Sequence, residues 1–213
     1  MKFSLIVNKC NLLFMLLIFT SCSKEINNTY NDKYSYYEKT VDHSTEGHKS
    51  LNKGNIEEAI SHLKKSADSG NRYDMFQLGN LYLERKEYNN SFKYIKESVI
   101  LSTDSSNQEA KNKLAYLYYN GLGTEKNYKE AIYYYNKSIK IDDSIIMLAE
   151  MNEFGIGTKV NLVKAYYLYK LLYYKGYYEY KAKVENINKY LSNYSKKIAE
   201  SEFEYYKRTL DLN

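Results

Sequence analysis

Side chains able to do chemistry are few in this 213-residue chain, and they are scattered. Three histidines occur, His43, His48 and His62. His43 and His48 are five positions apart, not the three or four that bring two side chains onto one helical face. No His-Glu-x-x-His pattern accompanies them, so the spacing predicts solvated histidines and no metal site. The adjacent carboxylates Glu57-Glu58 and Asp142-Asp143 point about 100° apart if helical, which suits solvated or capping charges better than an acid/base pair. The pairs Gly121-x-Gly123 and Gly155-x-Gly157 lack the preceding strand and further glycines of a phosphate-cradling loop. No nucleophile, base and metal set converges. The reading is a protein that is not an enzyme and takes no cofactor.

The elements that carry these residues begin with an amino-terminal leader. Lys2 and Lys9 are basic, Leu12 to Phe19 is an unbroken apolar run, and Thr20 and Ser21 precede Cys22. This is the layout of an export signal, with an apolar core of about 7–15 residues. A membrane-spanning helix needs about 20 apolar residues, and Asn8, Lys9 and Asn11 interrupt any longer run. Phe19-Thr20-Ser21-Cys22 resembles the lipobox of bacterial lipoproteins, departing from it at Phe19, where an aliphatic residue is usual. The resemblance implies cleavage after residue 21 and acylation of the Cys22 thiol. Cys10 is the only other cysteine and lies in the leader, so the mature chain would hold no free thiol and no disulfide. Residues 22–39 are polar apart from Ile26 and read as the lipidated cysteine followed by a flexible tether. Ser23 after the cysteine, rather than Asp, favours the periplasmic face of the outer membrane over the inner membrane.

The rest reads as helix. The chain has no Pro, no Trp and only 9 Gly, but 27 Tyr. Turn punctuation is too sparse for a many-stranded fold. Net charge is +5, and +3 once Lys2 and Lys9 leave with the leader, with 29 basic residues facing 26 acidic ones. That balance is too small and too evenly spread for a nucleic-acid surface.

Internal repetition organises residues 40–176. Leu114-Ala115-x-x-Tyr118-x-x-Gly121-Leu122-Gly123 superposes on Leu148-Ala149-x-x-Asn152-x-x-Gly155-Ile156-Gly157 at an offset of 34 residues, and Thr124/Thr158, Ala131/Ala165 and Tyr135/Tyr169 keep it. An earlier unit runs from Leu78-Gly79 through Tyr82 to Ser91, Ile95 and Ser98; a looser one has Gly47, Ala59 and Leu63. The spacing predicts helix pairs at about 40–52 and 55–69, 72–85 and 87–101, 107–120 and 127–140, and 143–154 and 161–175. Small residues sit where paired backbones approach, Gly79, Ala115 and Ala149 facing Ala59, Ser91, Ala131 and Ala165. Tyr135 and Tyr169 take core positions, and their tyrosine neighbours fall at seams or partly exposed. Residues 177–213 lack the repeat and read as capping helices, with one apolar stripe at Ala182, Val184, Ile187, Tyr190 and Leu191 and another at Ile198, Phe203, Tyr206 and Leu210.

The stretch LAYLYYNGLGTEKNYKEAIYYYNKS, residues 114–138, resembles a Sel1-like repeat, a variant of the tetratricopeptide (TPR) family. The resemblance implies an all-α fold, a right-handed α-α superhelical solenoid of about four helix pairs plus C-terminal capping helices. It also implies that first helices line a binding surface. Transferring the TPR inner positions by spacing selects His48, Asn80, Leu83, Tyr116, Tyr119, Glu150 and Glu153, a surface with an aromatic and amide centre and an acidic end. The function expected is a monomeric, membrane-anchored scaffold of the cell envelope that binds another protein and is tethered through Cys22. The alternatives are a periplasmic immunity protein that neutralises a secreted toxin and, further off, a cell-wall-active enzyme.

Overall fold

A computed structural model of the chain describes residues 42–102 and 107–212, and these are helices joined by turns, with no strand among them. The leader, Cys22 and the polar tether lie outside the described residues. None of the described helices is long and apolar enough to cross a membrane. The chain divides into two compact units, Met1–Asn71 and Arg72–Asn213.

In the first unit, α1 (42–52) and α2 (Ile56–Asp68) form one helix pair. Gly47 is the reason they approach closely: a Cβ there would lie 2.8 Å from the side chain of Leu63. The contact buries Ala59, Leu63 and Ala67 completely on one face of α2.

The second unit contains α3 (Arg72–Glu84), α4 (Tyr88–Ile100), α5 (Gln108–Asn120), α6 (Tyr128–Lys137), α7 (Asp142–Phe154) and α8 (Leu162–Tyr174). Packing is densest within the pairs α3/α4, α5/α6 and α7/α8, and each second helix also packs on the next first helix. The boundaries lie within one or two residues of those the repeat spacing predicts, except at the end of α6. There the Ser138 hydroxyl donates to the Tyr134 carbonyl at 2.8 Å, competing for the helical acceptor, and the chain turns at once so that Ile141 N–H donates to Ser138 O at 2.9 Å. The small-residue positions Ala115, Ala131, Ala149 and Ala165 are fully buried, as are Tyr135 and Tyr169. Gly79 meets Ile95 rather than the small Ser91, since a Cβ on it would come 2.5 Å from Ile95 Cγ1. In both short-turn pairs, therefore, a glycine opposes the large apolar residue of its partner helix.

The two glycines of each G-x-G loop do different work. Gly121 and Gly155 end α5 and α7 in the left-handed conformation, both at φ 70°. Gly123 and Gly157 are also left-handed, and they press against the first residue of the preceding pair's second helix: added Cβ atoms would stand 2.1 Å from Tyr88 O and 2.3 Å from Tyr128 Cβ. The loops are further fixed by Asn127 N–H donating to Tyr118 O at 2.9 Å and Asn161 N–H to Asn152 O at 2.8 Å. Asn127 and Asn161 then cap α6 and α8 through their side chains.

A short 3-10 turn (Tyr178–Tyr180), α9 (Lys181–Asn188) and α10 (Asn193–Thr209) complete the unit, each packing on α8. Covered from several sides, α8 is apolar nearly all round, and Tyr166 and Tyr167, expected at seams or partly exposed, are buried at the seam with α10, where Tyr166 Oη donates to Glu200 at 3.0 Å and the Tyr167 ring stacks on Tyr206. Across α9 and the turn that follows it the stripe narrows to Ile187 and Leu191, with Val184 half-buried, while Ala182 and Tyr190 face solvent. In α10 the buried residues are Ala199 and Phe203, with Tyr206 and, just past the helix, Leu210 half-buried; the stripe starts one position off the expected one, because Ile198 stays exposed.

Candidate functional site

The first helices of the second unit share an open groove of about 520 Å³, with walls from α3, α5 and the start of α7. Phe76, Leu83 and Ile141 supply apolar surface, and Gln77, Asn80 and Asn112 supply amides. Glu84, Glu109 and Asp143 bring three carboxylates, and Lys113 one ammonium. A second recess of about 260 Å³ adjoins it between α5 and α7, shares Asn112, Lys113 and Asp143, and adds Tyr116, Tyr135, Ile146 and Met147. The amide of Asn112 is held from behind: its Nδ2 donates to Ser144 Oγ at 2.8 Å, and Ser144 Oγ lies 2.8 Å from Ser138 Oγ. Asn80 Oδ1 is inaccessible to solvent and accepts no hydrogen bond among the described residues. A buried acceptor left open costs stability, so its retention in a groove wall is informative.

Three of the residues selected by spacing thus come together, Asn80 and Leu83 in the main groove and Tyr116, 43% exposed, in the recess. The others sit differently. Tyr119 is half-buried and packs edge-on against Tyr128 of α6, with ring centroids 5.3 Å apart. Burial raises its hydroxyl pKa above the ordinary tyrosine value, with Tyr128 and Glu150 adding to the effect. Glu150 is half-buried beyond the groove walls. Glu153 faces the capping segment: it accepts from Tyr169 Oη at 2.7 Å and from Lys183 Nζ at 2.8 Å. Lys183 in turn lies over the Phe154 ring at 5.1 Å. His48 belongs to the first unit and is half-buried there.

The acidic character expected from Glu150 and Glu153 is therefore supplied to the groove by other residues, Glu84, Glu109 and Asp143. Asp142 and Asp143 show how finely this divides. Asp142 accepts from Lys175 and from Tyr177 Oη at 2.7 Å, and this hydrogen bond raises the Tyr177 pKa. Asp143, one residue on, is exposed in the groove wall and makes no ion pair among the described residues. The sequence signal for Gln77 and Lys113 was within reach: each lies one turn before an inner position, Asn80 or Tyr116, on the same helical face.

The histidines are half-buried rather than solvated, and the fold brings together two that lie 19 positions apart. His43 and His62 approach with Nδ1 atoms 3.3 Å apart. Among the described residues no three His, Cys, Asp or Glu side chains converge as a metal site.

Stacked helix pairs with first helices lining a groove define an α-helical repeat protein of the TPR-like kind. More narrowly, the chain carries Sel1 repeats: the Sel1 repeat family matches residues 46–71, 108–143 and 142–177. The α3/α4 pair falls outside these matches, and it is joined by a short turn instead of a G-x-G loop. No curated protein matches the chain significantly. Among solved structures, it is similar to a protective antigen with an SLR fold from uropathogenic Escherichia coli strains, at TM-score 0.60 and 19% identity, over 71% of this chain and 33% of that one. A Sel1 repeat protein from Oxalobacter formigenes aligns at TM-score 0.54 and 24% identity, over 62% of this chain and 57% of that one. MamA protein aligns at TM-score 0.51 and 22% identity, over 83% of this chain and 97% of its own. The chain thus spans a third of the first of these structures and somewhat over half of the second. At these identities the likeness concerns the fold.

Proposed function

We propose that this chain is a lipid-anchored, non-enzymatic scaffold of the cell envelope that holds a protein partner against the first-helix groove of α3, α5 and α7. The observation that carries the reading is the groove itself. Its walls combine apolar surface, amides and carboxylates without an ion pair among the described residues, and Asn112 of α5 is tied to Ser144 of α7. Such a mixture suits recognition of a polypeptide, where apolar contact supplies area and polar groups set register. Sel1 repeats support the same reading, since a helix-pair array offers a surface built for another protein. The anchoring half rests on the leader and on Cys22, with two or three acyl chains needed for a stable hold.

The test is a cross-linked pull-down from the cell envelope with Cys22 intact, compared with the Tyr116→Ala/Asn80→Leu double variant. The expected result is one enriched protein that the double variant loses while remaining folded and membrane-bound. Its identity separates an envelope component from a toxin. Equal recovery by both forms would overturn the groove reading. Failure of a Cys22→Ser chain to leave the membrane fraction would overturn the anchoring.

A further inference from the structure

The groove's polar groups specify more than a protein partner. Glu84 on α3, Glu109 on α5 and Asp143 on α7 face the same space from three helices, with Lys113 the one opposing charge in the lining. All three carboxylates are exposed, and none takes part in an ion pair within the described residues, although Asp142 beside Asp143 is paired. The second observation is independent of charge: in the same wall the Asn80 Oδ1 is withdrawn from solvent and accepts no hydrogen bond among the described residues, so this wall is not optimised for the free protein. The three carboxylates call for donors and for positive charge. The third is the adjoining recess of about 260 Å³, whose walls Tyr116, Ile146 and Met147 are apolar or aromatic. Asn112, Lys113 and Asp143 belong to both cavities, so the two are immediate neighbours.

We propose that the groove binds an extended, basic segment of its partner, placing a Lys or Arg side chain among Glu84, Glu109 and Asp143 and a large apolar side chain in the Tyr116 recess. In an extended chain, side chains two positions apart point to the same side about 6.5–7 Å apart, which fits adjacent cavities and gives a Lys/Arg-x-apolar pattern. Arg is the better fit, because its planar fork donates to several carboxylate oxygens at once. This inference rests on the groove being the binding surface.

The experiment uses the mature chain and fluorescein-labelled nonapeptides in a Gly/Ser background, read by anisotropy. The central tripeptide is Arg-Ser-Phe, Glu-Ser-Phe or Arg-Ser-Ser. The expected order is Arg-Ser-Phe tightest, Arg-Ser-Ser weaker by about tenfold, and Glu-Ser-Phe weakest. Near-isosteric Asp143→Asn and Glu109→Gln each weaken Arg-Ser-Phe by about 3–10-fold without loss of helicity, and added salt weakens it further. Equal affinity for the Arg and Glu peptides, no measurable binding of any, or no change in the two amide variants would overturn the proposal. Failure here with the envelope pull-down still lost on Tyr116→Ala/Asn80→Leu leaves the groove reading intact and overturns only its basic occupant. Equal pull-down by both forms overturns the groove itself.

Discussion

One face of the first helices is treated in opposite ways at its two ends. Over α3, α5 and the start of α7 it is open, and among the described residues Glu84, Glu109 and Asp143 make no ion pair and the withdrawn Oδ1 of Asn80 accepts no hydrogen bond. At the far end of α7, Lys183 of α9 and Tyr169 of α8 take the carboxylate of Glu153, and at its start Asp142, turned away from the groove, is taken by Lys175 and Tyr177. A repeat needs a neighbour to bury its exposed side, and the last one receives it from α9 and α10. The same acidic residue type is therefore structural where the cap reaches it and available where the cap does not. Repeat position alone does not decide a residue's role; whether a side chain of α8, the cap or the turn between them reaches it does, as Asp142 and Asp143 show side by side.

The largest effect expected on this contrast comes from loosening the cap. Phe203 is 4% exposed and lies under Lys170 and against Tyr174. Phe203→Ala should cost about 3–5 kcal/mol in urea unfolding. Next is Glu153→Ala, which strands Tyr169 Oη and Lys183 and should cost about 1–3 kcal/mol. Asp143→Ala, in the open groove, should change stability by less than about 0.5 kcal/mol, and equal losses at Asp143 and Glu153 would erase the distinction. Asn80→Leu should leave stability unchanged or raise it by up to about 1 kcal/mol while weakening partner binding, the signature of a polar group kept for recognition.

The last effect appears only at alkaline pH. Tyr166, Tyr167 and Tyr169 of α8 all have raised pKa values, through burial first; Tyr166 is pushed up to about 12, with Glu200 contributing through its hydrogen bond. The folded state thus holds their protons longer than the unfolded state, where tyrosine titrates near about 10. Their contribution to stability is full below about pH 10 and declines as pH rises from there towards the folded values. Urea midpoints measured at increasing pH should stay level up to about pH 10 and then fall, and a flat profile would contradict the assignment.

Much of this fold is legible in the chain because the repeat leaves paired copies of each device. Gly121 with Gly155, Gly123 with Gly157 and Ala131 with Ala165 recur at one offset, and each pair has one geometric job in the structure. The capping segment has no second copy, so neither the phase of α10, where Ala199 and not Ile198 turns inward, nor the reach of Lys183 to Glu153 is written in a spacing. The groove was half legible for a related reason. Asn80, Leu83 and Tyr116 follow from the inner positions of the first helices, but Gln77, Lys113 and Glu109 belong to earlier turns, and Asp143 enters only because the tight turn at Ser138 sets where α7 begins. The His43–His62 contact joins two helices and is invisible to any single-helix spacing.

Site-specific photocross-linking in the native envelope tests the central claim most directly. A photoreactive phenylalanine analogue is placed in turn at Tyr116 in the open groove, at Glu153 under the cap and at Tyr133 on the exposed side of α6. The account predicts a partner adduct from position 116 and none from 153 or 133. An adduct from 133 or 153 with none from 116 would place the binding surface elsewhere and contradict it.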